Sequence, residues 1–152
     1  MRRSHAIWLG LGLVLVLTAC GGAPAAPDAP AAFCTDDAPR APTFANMQLL
    51  FTGCTSCHAA SVPLDLVPDT SYAALVGRAA PSYVDPPVNE SCGGVLVTPG
   101  NPATSYLFAK VSQPVPCAGS RMPLDEFGES KPLPACSQKL IHDWIASGAP
   151  AE

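Results

Sequence analysis

The sequence predicts an all-α domain of about four short helices joined by long loops. Apolar residues recur at helical spacing in four separate segments. The 152-residue chain also contains 18 prolines and 12 glycines, which shorten regular elements and lengthen the connections. This length suits one domain rather than two.

The low share of charged residues and the net charge exclude two functional classes. Charged residues make up 13% of the chain against 48% hydrophobic residues, so a charge-rich disordered tail is excluded. The formal net charge is −4, so no nucleic-acid partner is expected.

The first two helices are predicted before the middle of the chain. Thr43 is a suitable N-cap, and Phe44, Met47 and Phe51 follow it at helical spacing. Met47 therefore belongs to the apolar face of this helix, which makes core packing its expected role. The second helix is predicted over residues 70–80.

Two more helices follow a turn. Residues 98–101 predict a type II turn with proline and glycine at its centre, and Asn101 then caps the third helix. Residues 95–97 could form an isolated extended strand. The last helix is predicted to begin at Ser137 and to end at Gly148.

The N-terminal residues resemble a bacterial lipoprotein signal. Residues 1–19 combine a basic start with a short apolar stretch, and Leu17-Thr18-Ala19-Cys20 is similar to a lipobox. The resemblance implies cleavage before Cys20 and lipid attachment to it, which would anchor the protein to a membrane. A plain secretory signal is the alternative. Residues 20–39 then read as a Pro/Ala-rich tether, and the folded domain as residues 40–152.

One motif carries most of the functional information. Cys54-Thr55-Ser56-Cys57-His58 is C-x-x-C-H, the attachment signature of c-type haem. Two thiols on one helical turn can each form a thioether to a haem vinyl group, and the adjacent imidazole can ligate the iron. A zinc site would need a second pair of ligands at comparable spacing, and a thioredoxin-like pair would need a βαβ pattern; the sequence favours neither.

Further segments extend the similarity beyond the motif over residues 43–149. They are Leu64-Asp65-Leu66, residues 71–77, residues 97–102, Ser105-Tyr106-Leu107, Met122-Pro123 and residues 144–149. With them the chain resembles a small class I-type cytochrome c domain, most closely the planctomycete-type cytochrome c lipoproteins. This resemblance implies a cytochrome c-like fold around one covalent haem c.

Met122 is the leading candidate for the second axial ligand. It lies in a loop between the third and last helices, where the resembled family has its distal methionine. A thioether ligand stabilises ferrous iron relative to a second histidine. An ordinary loop methionine is the alternative. His142 lies beside Asp143 on a polar helix face and is expected to be solvated rather than to bind iron.

Other residues have weaker indications. Trp144 is expected to pack the last helix on the first, although its indole N–H could also reach a haem propionate. Arg121 could neutralise a propionate or remain solvated. Pro63 could orient His58 through its carbonyl group. An acidic cluster near the distal loop is either solvated or steers a basic redox partner; its members are Asp125, Glu126 and Glu129.

Four cysteines remain after one is assigned to lipid and two to haem. An even number in an exported protein favours two disulfides, for which three connectivities are possible. We prefer Cys92–Cys117, which would staple the loop around the third helix, and Cys34–Cys136, which would tie the tether to the last helix.

These observations together predict an electron carrier rather than an enzyme. His58 and Met122 would ligate one haem in a domain on the exported, periplasmic side of a bacterial envelope membrane, with redox proteins as partners. Three alternatives stay open. They are a haem peroxidase or small-molecule reductase with an open distal position, a haem-free binding lipoprotein stapled by disulfides, and an accessory subunit of a larger oxidoreductase.

Overall fold

A computed structural model describes residues 33–35, 37–59, 64–80, 94–114 and 116–152. The predicted signal sequence, Cys20, most of the predicted tether, Pro63 and Cys92 lie outside these residues. The described part contains short helices, and its extended pairing consists of isolated bridges. None of its helices has the length and apolar character that crossing a membrane requires.

The first helix, α1, spans Phe44–Phe51 and begins where the sequence predicts. The Thr43 hydroxyl accepts a hydrogen bond from the Asn46 amide at 3.3 Å, which satisfies one of the free N–H groups of the first turn. A 3-10 turn over Thr52–Cys54 follows, and then a one-turn helix, α2, over Thr55–His58. The chain thus enters the C-x-x-C-H motif as a nearly continuous helical segment.

The next helix, α3, is shorter than predicted and covers only Ser71–Leu75. Val76 leaves the helix to form a parallel bridge with Val97, and Gly77 adopts a positive φ of 69°. A tertiary contact therefore ends this helix, and a glycine supplies the left-handed conformation that follows it. The strand predicted over residues 95–97 is present only as isolated bridges at its two ends.

The predicted turn at residues 98–101 forms. The Asn101 amide donates to the Thr98 carbonyl at 3.0 Å, and Gly100 has the positive φ, 79°, that a type II turn needs at this position. The Asn101 side chain then accepts from the Thr104 amide, but the element that it caps is a 3-10 turn over Pro102–Thr104. The third predicted helix, α4, starts only afterwards and spans Tyr106–Ser112.

The last helix, α5, spans Ala135–Ala146 and so begins two residues before the predicted Ser137. It ends as expected before Gly148, whose φ is 99°. The amide of Gly100 donates to the carbonyl of Ile145 at 2.8 Å, so the turn before α4 is attached to the end of α5.

The core lies where α1 crosses α5. Trp144 is completely buried, and its ring centroid lies 5.6 Å from that of Phe44. The ring of Tyr72 also packs edge-to-face with Phe44, with the two centroids 5.1 Å apart. This confirms that Trp144 packs the last helix on the first. Its indole N–H donates to the Pro150 carbonyl at 2.9 Å, so this donor is used within the protein rather than being directed at a propionate. Met47 is fully buried in the same core, as predicted.

The packed unit starts before the predicted boundary at Arg40. Phe33 packs against the core, and the guanidinium of Arg40 lies 4.3 Å from its ring centroid. Cys34 is buried and bonded to Cys136 at the start of α5, with an S–S distance of 2.11 Å. This bond is the predicted pairing of these two cysteines. Phe33 and Cys34, which the sequence assigns to the end of the predicted tether, are therefore part of the packed unit.

Candidate functional site

The C-x-x-C-H motif lies at the end of the first helical segment, on the 3-10 turn and α2. Side-chain hydroxyls hold this path: Thr52 donates to the Leu49 carbonyl at 2.7 Å, and Thr55 donates to the Thr52 carbonyl at 2.9 Å. A Cβ atom added at Gly53 would meet no protein atom within 4 Å, so the protein itself does not require a glycine there. The open surface at Gly53 is compatible with close approach by a bound group.

The two motif cysteines are free, whereas the other described cysteines are disulfide-bonded. Cys117 is one of the bonded cysteines, and its predicted partner Cys92 lies outside the described residues. Cys54 packs against the core, and burial, together with the nearby Cys57, raises the pKa of its thiol to about 11. Cys57 is exposed. One thiol therefore faces the protein interior and the other faces solvent.

His58 is half-buried, and its Nδ1 atom is buried without a hydrogen bond of good geometry. Burial lowers the pKa of its imidazole, the Leu64 backbone acts in the opposite direction, and the charge of Lys110 lowers the pKa further. The net shift favours the neutral ring, which is the form that ligates a metal. Leu64 is thus the backbone neighbour that the structure places near the ring; the predicted neighbour, Pro63, lies outside the described residues.

Met122 is half-buried and packs against the hydrophobic core. Its amide donates to the Lys110 carbonyl at 2.7 Å, which attaches the loop to the last turn of α4. The neighbouring Arg121 guanidinium donates to the carbonyls of Val111 and Ser112, each at 3.2 Å. Arg121 therefore caps the end of α4, a role that neither sequence interpretation of this residue included.

Lys110 is a direct neighbour of the segment that carries Met122. Its carbonyl accepts from the Met122 amide, and its charge contributes to the lowered pKa of the His58 imidazole. Sequence reasoning missed Lys110, because only the path of the loop after α4 reveals its contacts.

Two other sequence expectations can be compared with the structure. His142 is exposed, and its Nδ1 lies 3.0 Å from a carboxylate oxygen of Asp143, as expected for a solvated position. In the acidic cluster, Asp125 accepts from the amides of Phe127 and Glu129, both at 2.9 Å, and these bonds lower the pKa of its carboxyl group. Asp125 thus organises its own loop, whereas Glu126 and Glu129 are exposed.

Within the described ranges, no three histidine, cysteine or acidic side chains converge as a metal-ligand cluster. Comparisons with protein-family models, with curated proteins and with solved structures found no match to this chain. The resemblance to cytochrome c therefore stays a prediction based on the residues quoted for it.

The residues of the motif fit a covalently bound haem. Cys54 and Cys57 are free thiols on one helical segment, and the half-buried ring of His58 follows them directly, with a buried Nδ1 that has no hydrogen bond of good geometry. Met122 would supply a soft sulfur ligand, and backbone and side-chain hydrogen bonds hold its segment in place.

Proposed function

We propose that this protein is a c-type cytochrome that transfers single electrons between redox proteins. Cys54 and Cys57 would attach one haem through thioether bonds, and His58 and Met122 would ligate its iron. When bound, the haem supplies one-electron chemistry by cycling between ferric and ferrous iron.

The observation that carries this proposal is the state of the described cysteines. Cys34, Cys117 and Cys136 are disulfide-bonded, while Cys54 and Cys57 stay free, immediately before a half-buried histidine. Structural thiols in an exported protein are normally oxidised in pairs, so two free thiols three positions apart suggest a different use.

The protein's own residues would set the properties of the site. Burial lowers the pKa of the His58 ring and so favours its neutral form, and the loop contacts around Lys110 and Arg121 hold Met122 near α4. A thioether ligand favours the ferrous state, which suits a carrier that accepts electrons at high potential.

We further propose that a lipid on Cys20 anchors the protein to a bacterial envelope membrane, with the haem domain on the periplasmic side. The lipobox-like residues support this location. Covalent haem attachment takes place on the same side of the membrane, so the two proposals agree.

Peptide mass spectrometry after co-expression with a cytochrome c maturation system tests the haem proposal. The peptide that contains Cys54 and Cys57 should gain the mass of one haem, and the Cys54→Ala/Cys57→Ala double variant should not. If the wild-type peptide carries no adduct, the cytochrome proposal is wrong.

A haem enzyme is distinguished from a carrier by the second ligand. An enzyme with an open distal position would keep its spectrum and its turnover of peroxide in Met122→Ala. A carrier would lose the spectral sign of methionine ligation in the same variant.

A further inference from the structure

Lys110 holds the segment that carries Met122 at three points. Its backbone carbonyl accepts from the Met122 amide at 2.7 Å. Its ammonium group donates to the carbonyl of Ala118 at 3.3 Å and also to the carbonyl of Ser120. All three contacts fall within five consecutive residues, so one side chain and its backbone determine the course of the chain into Met122.

The neighbours of Lys110 support the same arrangement. The Tyr106 hydroxyl, one turn earlier on α4, donates to the same Ala118 carbonyl at 2.8 Å. The Lys110 ammonium lies 5.6 Å from the centroid of the Tyr106 ring, within range of a cation–π contact. The ammonium is thus held between an aromatic ring and two carbonyl groups.

Ordinary helix capping does not explain these contacts. A lysine in the last turn of a helix usually stabilises the carbonyls of its own helix or extends into water. Lys110 instead bonds carbonyls of the following loop and is half-buried. Lys139, in the middle of α5, differs from Lys110, because it is exposed and pairs with Asp143 one turn away on its own helix.

The charge of Lys110 also lies close to the segment of the predicted ligand. Its ammonium group is bonded to the carbonyl of Ser120, two residues before Met122 in the chain. A half-buried charge is screened less than an exposed one. Ferric haem iron carries one more positive charge than ferrous iron, so a fixed cation nearby disfavours the ferric state.

We infer that Lys110 is a positioning residue that holds Met122 for iron ligation and whose positive charge raises the reduction potential of the site. This inference rests on the proposed haem function. It assigns two separable roles to one side chain, namely donation of hydrogen bonds to the loop and electrostatic bias toward ferrous iron.

Three substitutions in the matured, haem-loaded protein separate these roles. Lys110→Arg keeps the charge and the donors, Lys110→Gln keeps an N–H donor without the charge, and Lys110→Met removes both. Lys139→Gln is the matched control, because it removes the same charge from an exposed position on another helix. The measurements are the reduction potential and the ferric methionine–iron charge-transfer band.

We expect Lys110→Gln to keep the band and to lower the ferrous-to-ferric equilibrium ratio by about threefold or more. Lys110→Met should show the same shift with a weakened band, and Lys110→Arg should resemble the wild type in both. Lys139→Gln should leave both unchanged.

Two results would overturn the inference. One is that the reduction potentials of Lys110→Gln and Lys139→Gln are equal. The other is that the reduction potential of Lys110→Arg differs from that of the wild type. The wild-type protein separates this failure from failure of the proposed function, since a wild type without haem or without the band would contradict the cytochrome proposal itself.

Discussion

Two regions of the molecule differ in the burial and hydrogen bonding of their side chains. They are the contact between α1 and α5, called the crossing below, and the motif segment at residues 52–58. At the crossing, Trp144 is completely buried, packs on Phe44 and donates its N–H to a backbone carbonyl. In the motif segment, Cys57 is exposed, and the buried Nδ1 of His58 has no hydrogen bond of good geometry. The crossing therefore contributes close packing, whereas the motif segment leaves side-chain groups exposed or incompletely bonded.

The largest expected effect tests the crossing. Trp144→Ala removes its largest fully buried side chain and should lower the free energy of unfolding by about 3–5 kcal/mol. Chemical denaturation of the matured protein measures this loss. Phe127→Ala is the control, because Phe127 is 81% exposed and its removal should change stability by less than about 0.5 kcal/mol. Equal losses in the two variants would show that the crossing is not the core.

The next effect tests how the N-terminal segment is attached to the crossing. Replacing Cys34 and Cys136 by serine removes a bond between residues 102 positions apart and should cost about 2–4 kcal/mol. The same denaturation experiment applies, with the exposed neighbour Thr35→Ala as control. An unchanged midpoint in the double variant would mean that this bond does not constrain the chain.

The third effect compares the two thiols of the motif in protein made without haem maturation. A pKa of about 11 for Cys54, against an ordinary 9.0, leaves it about one hundredth of the usual thiolate near pH 8, so iodoacetamide should modify the exposed Cys57 first. The folded state favours the neutral Cys54 thiol. Its contribution to stability is therefore fully present below pH 9.0 and is lost as the pH rises through about 11.

Mass spectrometry of the alkylated peptide over time measures both rates. Cys54→Ser and Cys57→Ser each leave one thiol and serve as controls for the assignment. Equal alkylation rates would show that Cys54 is not buried in the haem-free chain.

The smallest effect concerns the helix that leads into the motif. Thr43→Ala removes the N-cap of α1 and should cost about 1 kcal/mol, because the Asn46 amide loses its acceptor. Thr43→Ser keeps a hydroxyl and should recover most of this loss in thermal unfolding. A similar loss in both variants would point to packing of the threonine methyl group instead.

Sequence patterns predict those structural elements that depend only on a few neighbouring residues. The cap at Thr43 and the turn at residues 98–101 form as expected, because each depends on the conformational preferences of two to four neighbouring residues. Asn101 also acts as a cap, but of a 3-10 turn rather than of the predicted third helix. The length of α3 was not predictable in this way. It ends at Leu75 because Val76 pairs with Val97, a residue more than twenty positions away.

The same distinction applies to the candidate site. The spacing of Cys54, Cys57 and His58 is a local feature and was read directly from the sequence. The roles of Lys110 and Arg121 depend on how the loop after α4 folds back on that helix. No local sequence pattern predicts this path of the loop.

The absorption spectrum of the matured protein, oxidised and reduced, before and after acid-organic extraction, tests the central claim most directly. The wild type should show a ferrous c-type spectrum that survives extraction and a ferric methionine–iron charge-transfer band. Met122→Ala should lose that band, while Met47→Leu, a change of similar volume in the core, should keep it. A colourless wild-type protein, or a band that persists in Met122→Ala, would contradict the account.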